Sequence, residues 1–180
     1  MGEHVDVELL VERAKEGDAD AFGALYDRFV EPLHRFIRFR VGGESDAEDL
    51  TQLVFLKMIE ALPRYETRGI PFRAWLFRLA RNAVIDFHRT SHPHQAIDEL
   101  VEHPAGTPDP ETAAGLALER RRLREALGNL TREQQEVVAL RFFGGLTTSE
   151  VGQAIGKREG TVRGLQFRAI EALRRRLEEP

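Results

Sequence analysis

The stretch SHPHQAIDELVEHPAGTPDP, residues 91–110, holds four of the eight prolines in the chain. Proline fixes φ and removes a backbone donor, and no hydrophobic period of a helix or strand runs through this segment. It reads as a linker. A break of this kind so near the middle of 180 residues leaves two short folding units rather than one continuous core. The expected domains are 5–90 and 111–178, with 91–110 as a flexible Pro-rich tether.

Helix signals recur on both sides of the break, and no convincing alternating strand does. Asp6 is placed to cap a first helix that stops at Gly17, and Asp18 or Asp20 opens a long second one, bent near Pro32 and ended by Gly42-Gly43. Ser45 with Glu48 has the spacing of a capping box for a third helix that runs to about Leu62, before Pro63. Pro71 suits the first position of a fourth helix over 71–90. Beyond the tether, Asp109-Pro110-Glu111 starts a fifth helix to about Leu127. Thr131 with Gln134 caps a sixth helix, TREQQEVVALRFF, and Thr147 with Glu150 caps a seventh. The last helix covers roughly 159–177. The expected fold class is all-α, with two small helical domains.

Charge is distributed in blocks. The total is −4, yet residues 1–63 carry −7, residues 64–90 carry +4, residues 91–130 carry −3 and residues 131–180 carry +2. Two basic segments among acidic ones suggest two surfaces for a polyanion and another surface for something else. The absence of cysteine excludes disulfides and thiolate metal sites. MGEHVDVELLVER lacks the basic-then-apolar pattern of a signal peptide, and no apolar run nears the roughly 20 residues of a membrane span. A cytoplasmic protein without membrane insertion is the expectation. His88, His92, His94 and His103 cluster around the tether with no matching Cys or paired carboxylate, so they are expected to be solvent-exposed side chains, and no cofactor or metal is expected.

TTSEVGQAIGKREGTVRGLQFRAIEALRRR, residues 147–176, has the outline of a helix-turn-helix. Val162, Leu165, Ala169, Ile170, Leu173 and Leu177 form one apolar side of the last helix, and Gly156 supplies the positive φ that ends the helix before it. The opposite side carries Gly164, Phe167, Arg168, Glu171, Arg174 and Arg175, with Arg163 on its flank. This helix can enter a major groove by its N-terminal half, which places Arg163 near bases and Arg168 and Arg175 near phosphates. Arg158 stands where an oxygen-bearing cap is expected and could itself reach a phosphate. A three-helix bundle with a solvated arginine face would share the same pattern.

The segment FRAWLFRLARNAVIDFHR, residues 72–89, places Phe72, Leu76, Leu79, Ala80, Ala83 and Phe87 on one apolar stripe. Arg78, Asn82, Ile85, Asp86 and Arg89 follow one flank at helical spacing, with Trp75 at the same edge. Arginine for phosphate, amide and carboxylate for base edges and aromatics for stacking suit single-stranded nucleic acid.

SDAEDLTQLVFLKMIEALPRY followed by PFRAWLFRLARNAVIDFHR resembles region 2 of the extracytoplasmic-function (group IV) RNA polymerase sigma factors. LTREQQEVVALRFFGGLTTSEVGQAIGKREGTVRGLQFRAIEALRRRL resembles their region 4, and the form LQFRA is similar to actinobacterial members. The resemblance covers about residues 8–90 and 112–178. It implies a non-enzymatic factor that binds core RNA polymerase and directs initiation at promoter DNA. Region 2 is implied to dock on the β′ clamp helices through Asp46, Asp49, Gln52 and Phe55. It is further implied to take the −10 element as single strand through Trp75, Arg78, Asn82, Asp86 and Arg89. Region 4 is implied to bind the β flap and to read the −35 element as duplex, with Arg158, Glu159, Thr161, Arg163, Phe167, Arg168 and Arg175 in place for it. An anti-sigma factor is the further partner implied. Leu53 stands where family members usually carry Glu, Phe167 where His is common and Arg158 where Ser is common.

Overall fold

The structure is a computed structural model, and it describes residues 6–66, 69–90 and 110–178. Eight α-helices and no strand occur among the described residues: α1 (Val7–Lys15), α2 (Ala19–Val41), α3 (Glu44–Ala61), α4 (Phe72–Thr90), α5 (Pro110–Gly128), α6 (Arg132–Val138), α7 (Thr148–Ile155) and α8 (Glu159–Glu178). The expected tether, 91–110, lies outside the described residues except for Pro110, which opens α5.

Most of the helix starts follow the capping chemistry. The Asp6 carboxylate accepts from Glu8 N, and Asp18, rather than Asp20, caps α2 by accepting from Asp20 N and Ala21 N. α2 passes through Pro32 and stops at Gly42, which has φ +84°. Both C-terminal capping boxes form, Thr131 with Gln134 and Thr147 with Glu150.

Two expectations are corrected. α3 begins at Glu44 with the extended Gly43 as its N-cap, so no Ser45 box forms. The Glu44 carboxylate bonds Arg38 Nε of α2 at 2.8 Å, which ties the helix start one residue earlier. The sixth helix is not continuously α: Ala139–Phe143 form a π turn. There Gly144 N reaches back to Ala139 O at 2.9 Å and Leu146 N to Leu140 O at 3.0 Å.

α1–α4 enclose a core that contains Leu25, Leu33, Phe36, Ile37, Val54, Met58 and Leu76. The C-terminal core gathers Val137, Leu140, Leu146, Val151, Val162, Leu165 and Ala169. The two halves touch. The Phe39 and Phe143 rings stack at 4.2 Å, and α7 lies against α4.

The turn between α7 and α8 depends on Gly152. A Cβ at that position would lie 2.6 Å from Lys157 O, while Lys157 N donates to Gly152 O at 2.8 Å. Gly156 closes α7 in the left-handed region at φ +70°. Gly152→Ala is therefore expected to lower stability by about 1–3 kcal/mol through backbone displacement. Chemical denaturation measures it, and an unchanged midpoint would show that the turn relaxes freely.

Candidate nucleic-acid interface

α8 is carried on a buried stripe of Val162, Leu165 and Ala169, which leaves its other side open. Arg158, Thr161, Arg163, Phe167, Arg168 and Arg175 are all exposed, and Glu159 is half-buried. Phe167, at 67% exposure, presents an apolar ring in the middle of a charged helix. Arg158 uses its backbone rather than its side chain at the helix start. Its carbonyl accepts from Thr161 N at 2.9 Å and from Val162 N at 3.2 Å.

The Glu159 carboxylate lies in the first turn of α8 and takes bonds from Thr148 Oγ1 at 2.8 Å and Arg163 Nη2 at 2.7 Å. The Thr148 hydroxyl, then Arg163, hold its carboxyl below the usual carboxylate range. Arg174 pairs with Glu171 at 3.0 Å and Arg175 bonds the Glu171 carbonyl. These are exposed contacts, weak against a phosphate.

α4 is less uniform. Asn82, Ile85, Asp86 and Arg89 form an exposed row, in which Arg89 Nη2 lies 3.3 Å from Asp86 Oδ1. Trp75 is half-buried in an aromatic group with Tyr65 at 4.8 Å and Phe72 at 5.6 Å. The Tyr65 hydroxyl donates to Ile70 O at 2.7 Å, which pins the connection before α4. Arg78 is placed differently: its Nη2 donates to Gln153 O of α7. The structure thus brings Asn82, Asp86 and Arg89 together and holds Arg78 against the other half of the chain.

Periodicity missed a second buried face of α4. Ala74 and Phe77 are fully buried although they lie off the expected stripe, while Leu79 and Phe87 on it are only partly buried. Phe77 packs edge-on to Phe36 at 5.6 Å, and a Cβ on Gly144 would come within 2.7 Å of its ring. Around this contact Arg73 Nη2 donates to Gly144 O at 2.8 Å, and Arg81 Nε meets Glu136 Oε1 at 2.5 Å. The signal available in the sequence was Ala74, Phe77 and Arg81 themselves, at intervals of three and four.

His88 is not the solvent-exposed side chain expected. Its ring is half-buried with Nε2 2.9 Å from Arg40 O, and burial, with Arg40 and Arg132 nearby, lowers its pKa. A histidine held neutral in the fold loses stability as pH falls below its ordinary value. His92, His94 and His103 lie outside the described residues. Among the described residues no group of three or more His, Cys, Asp or Glu could hold a metal ion.

On α3, Asp46, Asp49 and Gln52 are exposed as a docking face requires. Phe55 is not. It is 6% exposed with its ring 4.7 Å from that of Tyr26, because the period that buries Thr51, Val54 and Met58 turns Phe55 inward as well. The apolar groups that do face outward there are Leu53, Leu56 and Ile59.

Known proteins share this arrangement. Residues 25–92 match the family description "Sigma-70 region 2" and residues 126–175 match "Sigma-70, region 4". ECF RNA polymerase sigma factor ShbA of Streptomyces griseus is 39% identical over 181 residues, which cover 94% of this chain and 94% of that protein. The chain belongs to the ECF RNA polymerase sigma factors. It is also 38% identical to sigma factor BldN of Streptomyces coelicolor over 172 residues, or 94% of this chain, but it spans only 65% of the length of BldN. The solved structure of CnrH in complex with the cytosolic domain of CnrY superposes with a TM-score of 0.73 at 27% identity, covering 94% of this chain and 96% of CnrH. Sigma factors are DNA-binding transcription initiation factors with no enzymatic activity of their own. Here the region 2 match runs from residue 25, inside α2, through α3 and α4, and the region 4 match runs through α6 and α7 to residue 175 in α8. No helix among the described residues is long and apolar enough to cross a membrane.

The two sides of α3 should separate in stability measurements. Phe55→Ala is expected to cost about 3–5 kcal/mol, and Gln52→Ala to stay within about 0.5 kcal/mol. Equal, small losses in chemical denaturation would show that Phe55 is not a core residue.

Proposed function

We propose that this sigma factor, bound to core RNA polymerase in the cytoplasm, selects promoters by reading two DNA elements with two helices. α8 reads the −35 element as duplex, through Arg158, Glu159, Thr161, Arg163, Phe167 and Arg168, while Arg175 meets the backbone. α4 takes the −10 element as single strand, with Asn82, Asp86 and Arg89 at base edges and phosphates, Trp75 at the rim and Arg78 recruited once region 4 moves away. The polymerase dock is the outer face of α3, formed by Asp46, Asp49 and Gln52 around exposed Leu53 and Leu56, with the β′ clamp helices as its target. Region 4 engages the β flap.

The observation that carries this reading is the open side of α8. A helix that packs through Val162, Leu165 and Ala169 still exposes the Phe167 ring and a run of arginines, along the side a helix-turn-helix offers to a groove. Ile170 and Leu177, expected on the packed stripe, are also exposed. Its N-terminal turn carries the exposed Arg163 beside Glu159, a pairing that suits bases and phosphates together. Glu159 can accept from a cytosine amino group while Arg163 turns from it to a guanine.

An anti-sigma factor is the further partner proposed. The structural relative CnrH was solved with a protein partner, the cytosolic domain of CnrY, and a chain built from two joined domains offers such a partner both DNA-facing surfaces at once.

Reconstituted holoenzyme and a promoter library at two salt concentrations test the division of labour on α8. Arg163→Ala is expected to cost about 1–3 kcal/mol on the best upstream sequence and to relax preference at one position. Arg175→Ala should weaken all sequences nearly equally and lower the salt slope by about one. An unchanged upstream preference in Arg163→Ala would contradict the docking pose.

A further inference from the structure

Arginines from three helices gather around one carboxylate where α2, α4 and α6 meet. α6 carries Arg132 and Glu136 one turn apart on the same side. α4 carries Arg81 and His88 two turns apart, and that side faces α6, since Arg81 Nε meets Glu136 Oε1 at 2.5 Å. α2 closes the group. The His88 ring lies with Nε2 2.9 Å from Arg40 O, and the neighbouring Phe39 stacks on Phe143 beyond the end of α6.

The charges do not balance. Burial first, and then Arg81 and Arg132, push the Arg40 guanidinium below its usual pKa, although Glu136 opposes them. Burial, then Arg40 and Arg132, likewise hold the His88 imidazole neutral against its bond to Arg40 O. Neither Arg40 nor Arg132 has an ion pair among the described residues. Three guanidiniums therefore share the carboxylate of Glu136, whose side chain is only 12% exposed. An excess of cations in a partly desolvated place is costly unless an anion completes it. Arg132 is exposed and Arg40, Arg81 and His88 are half-buried, so an anion can reach the group from solvent.

We propose that Arg40, Arg81, Arg132 and His88 form an anion site between the two halves of the chain, and that its ligand is a phosphate group, free or at the end of a nucleotide. Planar guanidiniums meet phosphate oxygens in paired hydrogen bonds, a geometry that chloride cannot use. Glu136 is the built-in counter-ion: it satisfies Arg81 in the free chain and competes with an incoming ligand. A phosphate held here bridges region 2 and region 4, because Arg132 comes from one and Arg40, Arg81 and His88 from the other. None of the four residues belongs to the rows of α4 and α8 assigned to DNA.

Calorimetric titration of the free full-length chain with sodium phosphate, at an ionic strength fixed with chloride, tests the site. Arg132→Ala removes an exposed cation and is expected to weaken phosphate binding about tenfold, the worth of one charge-assisted bond. Glu136→Gln removes the competing carboxylate at nearly constant shape and is expected to bind phosphate more tightly. Arg121→Ala, which removes an exposed arginine of α5 paired with Glu125, is the control and should keep the native affinity. The His88 imidazole resonances of the native chain should shift as phosphate is added, with the affinity that calorimetry gives. No heat or shift beyond that of chloride, native affinity in Arg132→Ala, no gain in Glu136→Gln, or an equal loss in Arg121→Ala would each overturn the site. A nucleoside triphosphate titrated in parallel identifies the source. Tighter binding than orthophosphate assigns the nucleotide, and equal or weaker binding assigns the free ion. These titrations contain no DNA and no polymerase, so their failure would leave the promoter reading standing.

Discussion

Phe77 lies where the two halves of the molecule meet, and the placing of α4 depends on what packs around it. Its ring is fully buried, edge-on to Phe36 of its own half and close enough to Gly144 that no side chain could be added there. α4 is consequently a shared wall. One side closes the region 2 bundle through Phe72, Leu76, Ala80 and Ala83, another receives α7 and the π turn, and only the row from Asn82 to Arg89 is left to solvent. A helix packed on two sides leaves only a narrow strip open, and that strip is where the polar groups proposed to read bases stand.

The π turn gives region 4 its hold on this wall. Its widened backbone ring takes Gly144 N to the Ala139 carbonyl and leaves Gly144 O for Arg73. Phe143 at its end stacks on Phe39. Most of the remaining attachment is arginine on oxygen. That chemistry explains how a chain with net charge −4 can serve DNA. The cations of α4 are partly neutralised inside the molecule, those of α8 are exposed, and the acidic excess is concentrated in the first 63 residues.

Local physics was legible in the sequence. Asp6, Asp18, Thr131 and Thr147 each cap the helix that their oxygen and spacing announce, because a cap is settled within four residues. The open face of α8 was legible in part: Val162, Leu165 and Ala169 of the expected stripe are buried and leave Phe167 and the arginines opposite, while Ile170 and Leu177, expected on the same stripe, are exposed. What depends on distant residues was not. Ser45 lost its capping role to a Glu44–Arg38 contact with the preceding helix, and the burial of Phe55 against Tyr26 could not be read from α3 alone. The second buried face of α4 exists only because α7, some 70 residues later in the chain, packs on it. Periodicity within one helix records a single dominant neighbour, and a second neighbour registers only as a few small or aromatic residues off the stripe.

Two helices of one chain, joined to core polymerase, are proposed to choose where transcription begins. Mapping transcript 5′ ends after adding the protein to core RNA polymerase on a fragmented genomic template tests it most directly. A limited set of start sites that share two sequence elements at fixed spacing is expected, absent when either core polymerase or this protein is left out. Start sites identical with and without the protein, or tight binding to promoter duplex with no polymerase present, would contradict it.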